Sequence, residues 1–479
     1  MFRTIMNSCG VGRALPLVGG ALPLVAAGNV TEGNARPTPQ PTNGSAALAR
    51  STAGAVKQVL VVALSGFWIA GIWAISPPAL AKNKTAIGTS AKPDPDVLLI
   101  EVYKDLAANR LRQAQSRADA LVEAYPNFQL GHLIRGDLLL MHTRPVTTFG
   151  AVAGGSAEKL DNLRAEAMAR LKSLRERPDP NLVPRSILQL RGDQKYALIV
   201  DAKRSRLYVY ENKGGQPKFV ADYYISQGKL GVNKLKEGDQ KTPLGVYYIT
   251  GRLAGARLPD FYGAGALPIS YPNEWDKLHG RSGSGIWLHG TPSDSFSRPP
   301  LSSDGCVVLT NPDLHKLSAS VEIGKTPIVI SDQVEFVSKA KWDVERSLAA
   351  KLVDGWRRDV ESLDPARLMA NYSQHFKSAQ GENLDTWFVK QQQSTTGGGV
   401  TGGAFPSVTG NAPPKPNGVR NISLTLRDTS FFIYPGQEDL IVGTFTQDAS
   451  IGNRKHSIRK RQYWAREGAQ WKIVSETNW

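Results

Sequence analysis

Two residues of this 479-residue chain have the types and the setting for acyl transfer, His289 and Cys306. His289 lies in an apolar run, Ile286-Trp287-Leu288-His289-Gly290. Cys306 follows Ser303-Asp304-Gly305 and opens a second run, Val307-Val308-Leu309. A thiol becomes a nucleophile when a base takes its proton, and an imidazole is the usual base. The polar, proline-containing segment between the runs reads as a loop, so two strands can bring the pair together despite the gap. Gly305 lets backbone N–H groups crowd the oxyanion of a tetrahedral intermediate. The same residue types also have plainer uses. A lone cysteine often serves as a small buried hydrophobe, and a lone histidine as a structural hydrogen-bonder.

Totals narrow the function classes. Hydrophobic residues make up 41% and charged residues 21%, which suits a globular chain of two to four domains, each with its own core. The net charge of +16 suits a polyanionic neighbourhood such as nucleic acid, acidic lipid or a cell-wall polymer. There is no zinc-finger spacing, RNA-binding signature or dense Lys/Arg block, so diffuse solvated charge is the better reading and no nucleic-acid partner is expected. His132, His142, His279, His315, His375 and His456 show no paired ligand spacing, so no metal is expected.

The N-terminus sets the compartment. Lys57 precedes an apolar run over Val59 to Ile75, and Ala79-Leu80-Ala81 is a small-x-small cleavage pattern. Residues 1–81 therefore read as a leader with a secretory signal, cut after Ala81, and an uncleaved membrane anchor is the alternative. The residues upstream of Lys57 are unusual for a signal; a translation start near Val56 would account for them. Cleavage removes Cys9 and leaves Cys306 as the single thiol of a chain in the periplasm or cell envelope. An unpaired cysteine there is open to oxidation, which favours a reactive role.

Residues 82–190 read as helical. Leu98, Leu99, Val102, Tyr103, Leu106 and Ala107 recur at helical spacing, Ala114 to Ala124 continues, Tyr125-Pro126-Asn127 breaks the pattern, and Leu130 to Leu140 resumes it. This unit resembles a single tetratricopeptide-type hairpin and could contact a protein partner. Leu160, Leu163, Ala167, Leu171 and Leu174 mark one further helix. From Tyr196 the period changes to two. Tyr196 to Val200, Arg206 to Tyr210, Phe219 to Ser226 and Thr242 to Ile249 read as strands between Gly-rich turns, which predicts a sandwich or barrel-like sheet over 191–335. In 340–479, helices at Val344 to Val360 and Pro365 to Tyr372 come first. A Gly/Thr/Pro-rich insertion at 394–418 follows. Strands at Ile422 to Leu426, Phe431 to Tyr434, Leu440 to Thr446, Arg459 to Ala465 and Trp471 to Glu476 end the chain.

From Tyr196 to Ser331 the chain resembles the L,D-transpeptidase catalytic domain of the YkuD type. The marks come in that family's order: Tyr208 and Tyr210; Gly238-Asp239, Thr242-Pro243 and Gly245; His289-Gly290-Thr291; Ser303, Gly305 and Cys306; then Asn311. Two positions depart from the family pattern. Asp304 stands where His is usual, and Val308 where Arg is usual. That flank resembles a divergent branch that includes cell-shape L,D-carboxypeptidases and enzymes trimming lipoprotein links. The C-terminal helices and sheet resemble the nuclear-transport-factor-2-like cone. The implied fold class is multidomain: an α-helical N-terminal region, a mainly-β catalytic domain and an α+β cone-like accessory domain.

The resemblance implies a peptidoglycan stem peptide as substrate, cleaved between meso-diaminopimelate and D-Ala through a thioester, with no cofactor. Cys306 would be the nucleophile, His289 the base, and the Gly290 carbonyl the holder of the far imidazole nitrogen. Gly305 and Cys306 would supply oxyanion N–H groups. Ser303, Asp304 and Thr291 would lie nearest the substrate, Ser303 chiefly ordering the loop and Asp304 meeting a cationic amine. An amine acceptor would give a crosslink, whereas water would give a tripeptide stem.

Overall fold

The structure, a computed structural model, describes residues 92–146, 148–150, 155–396, 422–437, 439–451 and 454–478. The expected leader, its cleavage pattern and most of the 394–418 insertion lie outside the described residues. Among the described residues, no helix is long and apolar enough to cross a membrane.

Four helices lead: α1 (Pro95–Ala107), α2 (Leu111–Ala124), α3 (Gln129–Met141) and α4 (Ala157–Arg175). Asp94 starts α1 because its carboxylate accepts from the N–H groups of Asp96 and Val97 and because Pro95 is preset for the first turn. Leu99, Val102, Ala114, Ala118, Leu121, Leu130 and Ile134 bury one face of each helix of the set in a common core. Phe296, from the loop between the two candidate chemical residues, joins this core against Tyr125 and Phe128, with ring centroids 4.7 and 4.8 Å away.

The chain then runs through β1 (Leu182–Pro184), β2 (Ile187–Gln189), β3 (Tyr196–Asp201), β4 (Arg206–Lys213), β5 (Gln216–Tyr224), β6 (Gln227–Gly228), β7 (Gly245–Tyr248), β8 (Leu253–Ala254) and β9 (Gly265–Pro268). After these come α5 (Glu274–Leu278), β10 (Trp287–His289), β11 (Leu301–Ser303), β12 (Val307–Val308), α6 (Asn311–Ala319), β13 (Pro327–Ser331) and β14 (Phe336–Ser338). One sheet has the order β5-β4-β3-β13-β7 and a second the order β12-β10-β9-β8. They pack on each other through Leu198, Val200, Leu207, Val209 and Ile328 on one side and Leu267, Leu288, Val307 and Leu309 on the other. The expected mainly-β domain is therefore two facing sheets.

The C-terminal part comprises α7 (Lys339–Glu361), α8 (Pro365–Met369), α9 (Leu384–Thr396), β15 (Ile422–Ile433), β16 (Leu440–Ile451), β17 (Arg454–Glu467) and β18 (Gln470–Asn478). Its sheet runs β18-β17-β16-β15-β2, so β2 from before the two facing sheets completes it. One face of this sheet holds α7 through Trp342, Val353 and Trp356. The other face, through Phe432, Tyr434, Leu440, Val442 and Tyr463, covers Ala197, Ile199, Tyr208, Tyr210, Val246 and Val329 on the back of the first catalytic sheet. Strand β3 is thus buried on both faces, which is why it reads as an unbroken apolar run instead of an alternation.

Three features differ from the sequence reading. The two strands expected at Ile422 to Leu426 and Phe431 to Tyr434 are one strand, kinked by a register shift between Arg427 and Ser430 where Asp428 has φ +54°. Helix α9 was not expected; Trp387 and Phe388 bury it in the C-terminal core. Residues 187–189, assigned from sequence to the helical region, form β2 of the C-terminal sheet.

Charge pairs join the helices to the catalytic sheet. The Arg170 side chain is buried and pairs with Asp96 and with Glu166. Its guanidinium lies 3.9 Å from the Tyr224 ring centroid. Arg206 in turn pairs with Asp96 at 3.0 Å and with Asp222. Glu166 accepts from Ser297 at 2.6 Å, within the loop that carries Phe296. Removing one partner strands the others without water. Arg170→Met is expected to cost about 3–5 kcal/mol, read as a lower denaturant midpoint at unchanged slope.

Candidate active site

Strand pairing places the two candidate residues. β10 and β12 run parallel with Leu288 opposite Val307 and His289 opposite Val308. Side chains alternate faces along a strand. Leu288, Val307 and Leu309 enter the core between the sheets, and Trp287, His289, Cys306 and Val308 share the opposite face. Cys306 packs there with Trp287, Tyr262 and Ala266. The Tyr262 ring lies 5.1 Å from both the His289 ring and the Trp287 ring. Imidazole and thiol are neighbours diagonal to one another on adjacent strands.

His289 is 1% exposed, and its Nδ1 lies 2.7 Å from the Gly290 carbonyl. A carbonyl only accepts, so Nδ1 carries the proton and Nε2 keeps its lone pair. Burial pushes the imidazole down to about 4; the Gly290 carbonyl opposes that shift, and the positive charge of Arg298 adds to it. At neutral pH the ring is therefore uncharged and able to accept a proton. Asn311 holds the backbone one residue further on. Its Nδ2 donates to Thr291 O at 2.9 Å and its Oδ1 accepts from Ala264 N–H at 2.8 Å. A side chain at Gly290 would strike Asn311 Oδ1, which accounts for the glycine.

Cys306 is 3% exposed, and its Sγ donates to Gly285 O at 3.5 Å. The turn before it is tied by Ser303, whose hydroxyl donates to Cys306 O at 2.6 Å and accepts from Gly305 N–H at 3.1 Å. Gly305 has φ +127°, and a Cβ there would sit 2.7 Å from Lys241 O, so only glycine fits. Its N–H is taken by Ser303 in the resting site and reaches an oxyanion only by exchanging that partner. Thr242, from the Gly-Asp-x-x-Thr-Pro run, donates through its hydroxyl to Gly305 O at 3.0 Å and so braces the same turn.

The residues expected nearest the substrate fall in two groups. Ser303 and Thr291 are buried with their hydroxyls committed to carbonyls of their own loop, Thr291 to Ser295 O at 2.8 Å. Asp304 is partly exposed and accepts from Lys229 Nζ and Gln240 Nε2, each at 3.2 Å. Three residues absent from the sequence reading complete the site: Phe261, Tyr262 and Arg298. The Arg298 guanidinium lies 4.4 Å from the Phe261 ring centroid, and Phe261 lies 5.7 Å from the His289 ring. The available signal was the Phe-Tyr-Gly at 261–263 and a lone arginine beside Pro299-Pro300. Among the described residues no group of three or more His, Cys, Asp or Glu could hold a metal ion.

The burial of His289 makes a direct prediction. In a Cys306→Ser variant, nitrogen NMR of the labelled ring is expected to keep the neutral, Nδ1-protonated form from neutral pH down to about 4, well below the usual 6.5. A midpoint near 6.5 would mean a solvated ring.

Comparison with known proteins agrees with this architecture. Residues 195–330 match the YkuD family, described as the L,D-transpeptidase catalytic domain. YafK of Escherichia coli K12, which carries the L,D-transpeptidase name, is 28% identical over 130 residues. That stretch is 27% of this chain and 48% of YafK, so the match spans about half the length of the curated relative. Among solved structures, Bd1075 of Bdellovibrio bacteriovorus is 28% identical at a TM-score of 0.50, covering 62% of this chain and 98% of that one. The helical cell shape determining protein Pgp2 of Campylobacter jejuni is 22% identical at 0.49, over 64% and 97%. Behind four helices and in front of a five-stranded accessory sheet, residues 195–330 of this chain carry the match to the YkuD family, the L,D-transpeptidase catalytic domain.

Proposed function

We propose that this protein is a peptidoglycan-modifying cysteine L,D-transpeptidase of the cell envelope. Its donor is a stem tetrapeptide, and the bond broken joins the L-centre of meso-diaminopimelate to D-Ala. The observation that carries the reading is the shared face of His289 and Cys306 on paired parallel strands, with Nδ1 tied to Gly290 O and Nε2 left basic.

In this scheme Nε2 takes the thiol proton and the sulfur attacks the carbonyl carbon. The tetrahedral oxyanion is met by N–H groups of the turn at Gly305 and Cys306. The C–N bond breaks as the imidazolium returns its proton to the leaving amine. The thioester then passes to a diaminopimelate amine, forming a crosslink. Water at the same step would leave a tripeptide stem. Burial disfavours each ion alone, so the imidazolium and thiolate form together, held by the strong attraction between opposite charges where water is excluded.

Mass analysis of muropeptides incubated with the full chain tests the reading. Crosslinked dimers are the expected product, and tripeptides alone would assign the protein as an L,D-carboxypeptidase. Cys306→Ala is expected to give neither, with circular dichroism unchanged. His289→Ala should slow turnover by about 10²–10⁴-fold. Full turnover in Cys306→Ala would overturn the scheme and leave a wall-binding scaffold.

A further inference from the structure

Among the described residues the buried arginines have carboxylate partners: Arg170 pairs with Glu166, Arg191 with Asp193 and Arg206 with Asp222. Arg298 differs. Its guanidinium makes no ion pair or hydrogen bond to the described residues, although it is half-buried. Its backbone is held hard: Arg298 O accepts from Tyr224 Oη and from Ser226 Oγ, both at 2.9 Å. Phe296 anchors the same loop in the helical core, and Ser297 ties it to Glu166. The side chain lies against Phe261, which in turn faces the His289 ring. The charges of Asp304, Cys306 and Asp294 are near enough to act on it, though neither carboxylate pairs with it. Asp304 already has Lys229.

An unpaired cation partly removed from water is costly unless an anion arrives to meet it. Its planar fork matches a carboxylate. The reaction proposed above brings one to this place. The leaving nitrogen must reach His289 to receive its proton, and the carboxylate of a terminal amino acid lies only two bonds from that nitrogen. We infer that Arg298 binds the free terminal carboxylate of the departing D-amino acid, so that the site removes only the last residue of a stem and spares stems extended or capped at that end. This rests on reading Cys306 as the acylated thiol. The covalent course is unchanged: the S–C bond forms, the C–N bond breaks, and the amine leaves with the imidazolium proton and with its carboxylate on Arg298.

Two measurements on the full chain test the assignment. The first compares a synthetic stem tetrapeptide ending in a free acid with the same peptide ending in a carboxamide. The wild type is expected to favour the acid by about 100-fold in kcat/KM, mostly through KM. Arg298→Gln should bring that ratio near one, and Arg298→Lys should keep part of it. Equal slowing of both peptides would overturn the inference, since a cation that only stabilised thiolate or oxyanion would act on both alike. The second measurement needs no turnover. Cys306 is alkylated with anionic iodoacetate and neutral iodoacetamide, and the ratio of the two rates is expected to fall about 10-fold in Arg298→Gln. An unchanged ratio would overturn the anion site. If the ratio falls but neither peptide is cleaved by the wild type, the anion site stands and the peptidase reading fails.

Discussion

The two-residue repeat of a strand is the constraint on which this site depends. Pairing His289 with Val308 across parallel strands puts Cys306 on the imidazole's face and Leu288 and Val307 in the core behind it. A slip of one residue would send the sulfur into that core and a leucine toward the substrate. The register is therefore defended from several sides. Leu309 N–H donates to His289 O, Val308 bridges to Ser226 in both directions, and Asn311 clamps the segment just after the histidine. Much of what the family marks encode is this defence. The side chains of Thr242 and Asn311 perform no chemistry in the scheme above, and Gly290 and Gly305 act in it only through backbone atoms, yet each of the four fills a space or bond that another residue would upset.

The loop between the two chemical residues is built differently. It has few strand bonds of its own and takes its shape from outside. The helices supply Tyr125, Phe128 and Glu166, and the far sheet supplies Tyr224 and Ser226. The helical region, which carries no candidate catalytic residue, is thereby part of the mould in which the site is cast. The buried ion pairs around Arg170 run beneath that contact and hold helix and sheet in one relative position.

The chain in one dimension reveals this structure unevenly. The shared setting of the sulfur and the imidazole was legible because each ends or begins an apolar run with a glycine beside it. Strands β3 and β4 were legible from composition, and the first helices from their period. Phe296 and Arg298 were not, because Phe296 packs on Tyr125 and Phe128 and Arg298 on Phe261, and partners so distant along the chain leave no local trace. Phe296 reads as a stray aromatic in a polar loop, and Arg298 as one more contribution to a large positive charge. The same blindness split β15, since Asp428 breaks the alternation on which strand recognition relies. It also missed α9, whose apolar residues cluster near one end. Asp304 was singled out for its unusual type, and the structure gives it an ordinary lysine partner.

The back of the first catalytic sheet has a consequence for how such a protein can be altered. Ala197, Ile199, Tyr208, Tyr210, Val246 and Val329 take much of their cover from the C-terminal sheet, and that sheet is itself completed by a strand from ahead of residue 195. The accessory part is thus threaded into the rest of the chain at both ends and cannot be traded away as a cassette. A gene truncated before residue 340 would encode a sheet with a wide greasy flank and an orphaned edge, a product suited to self-association.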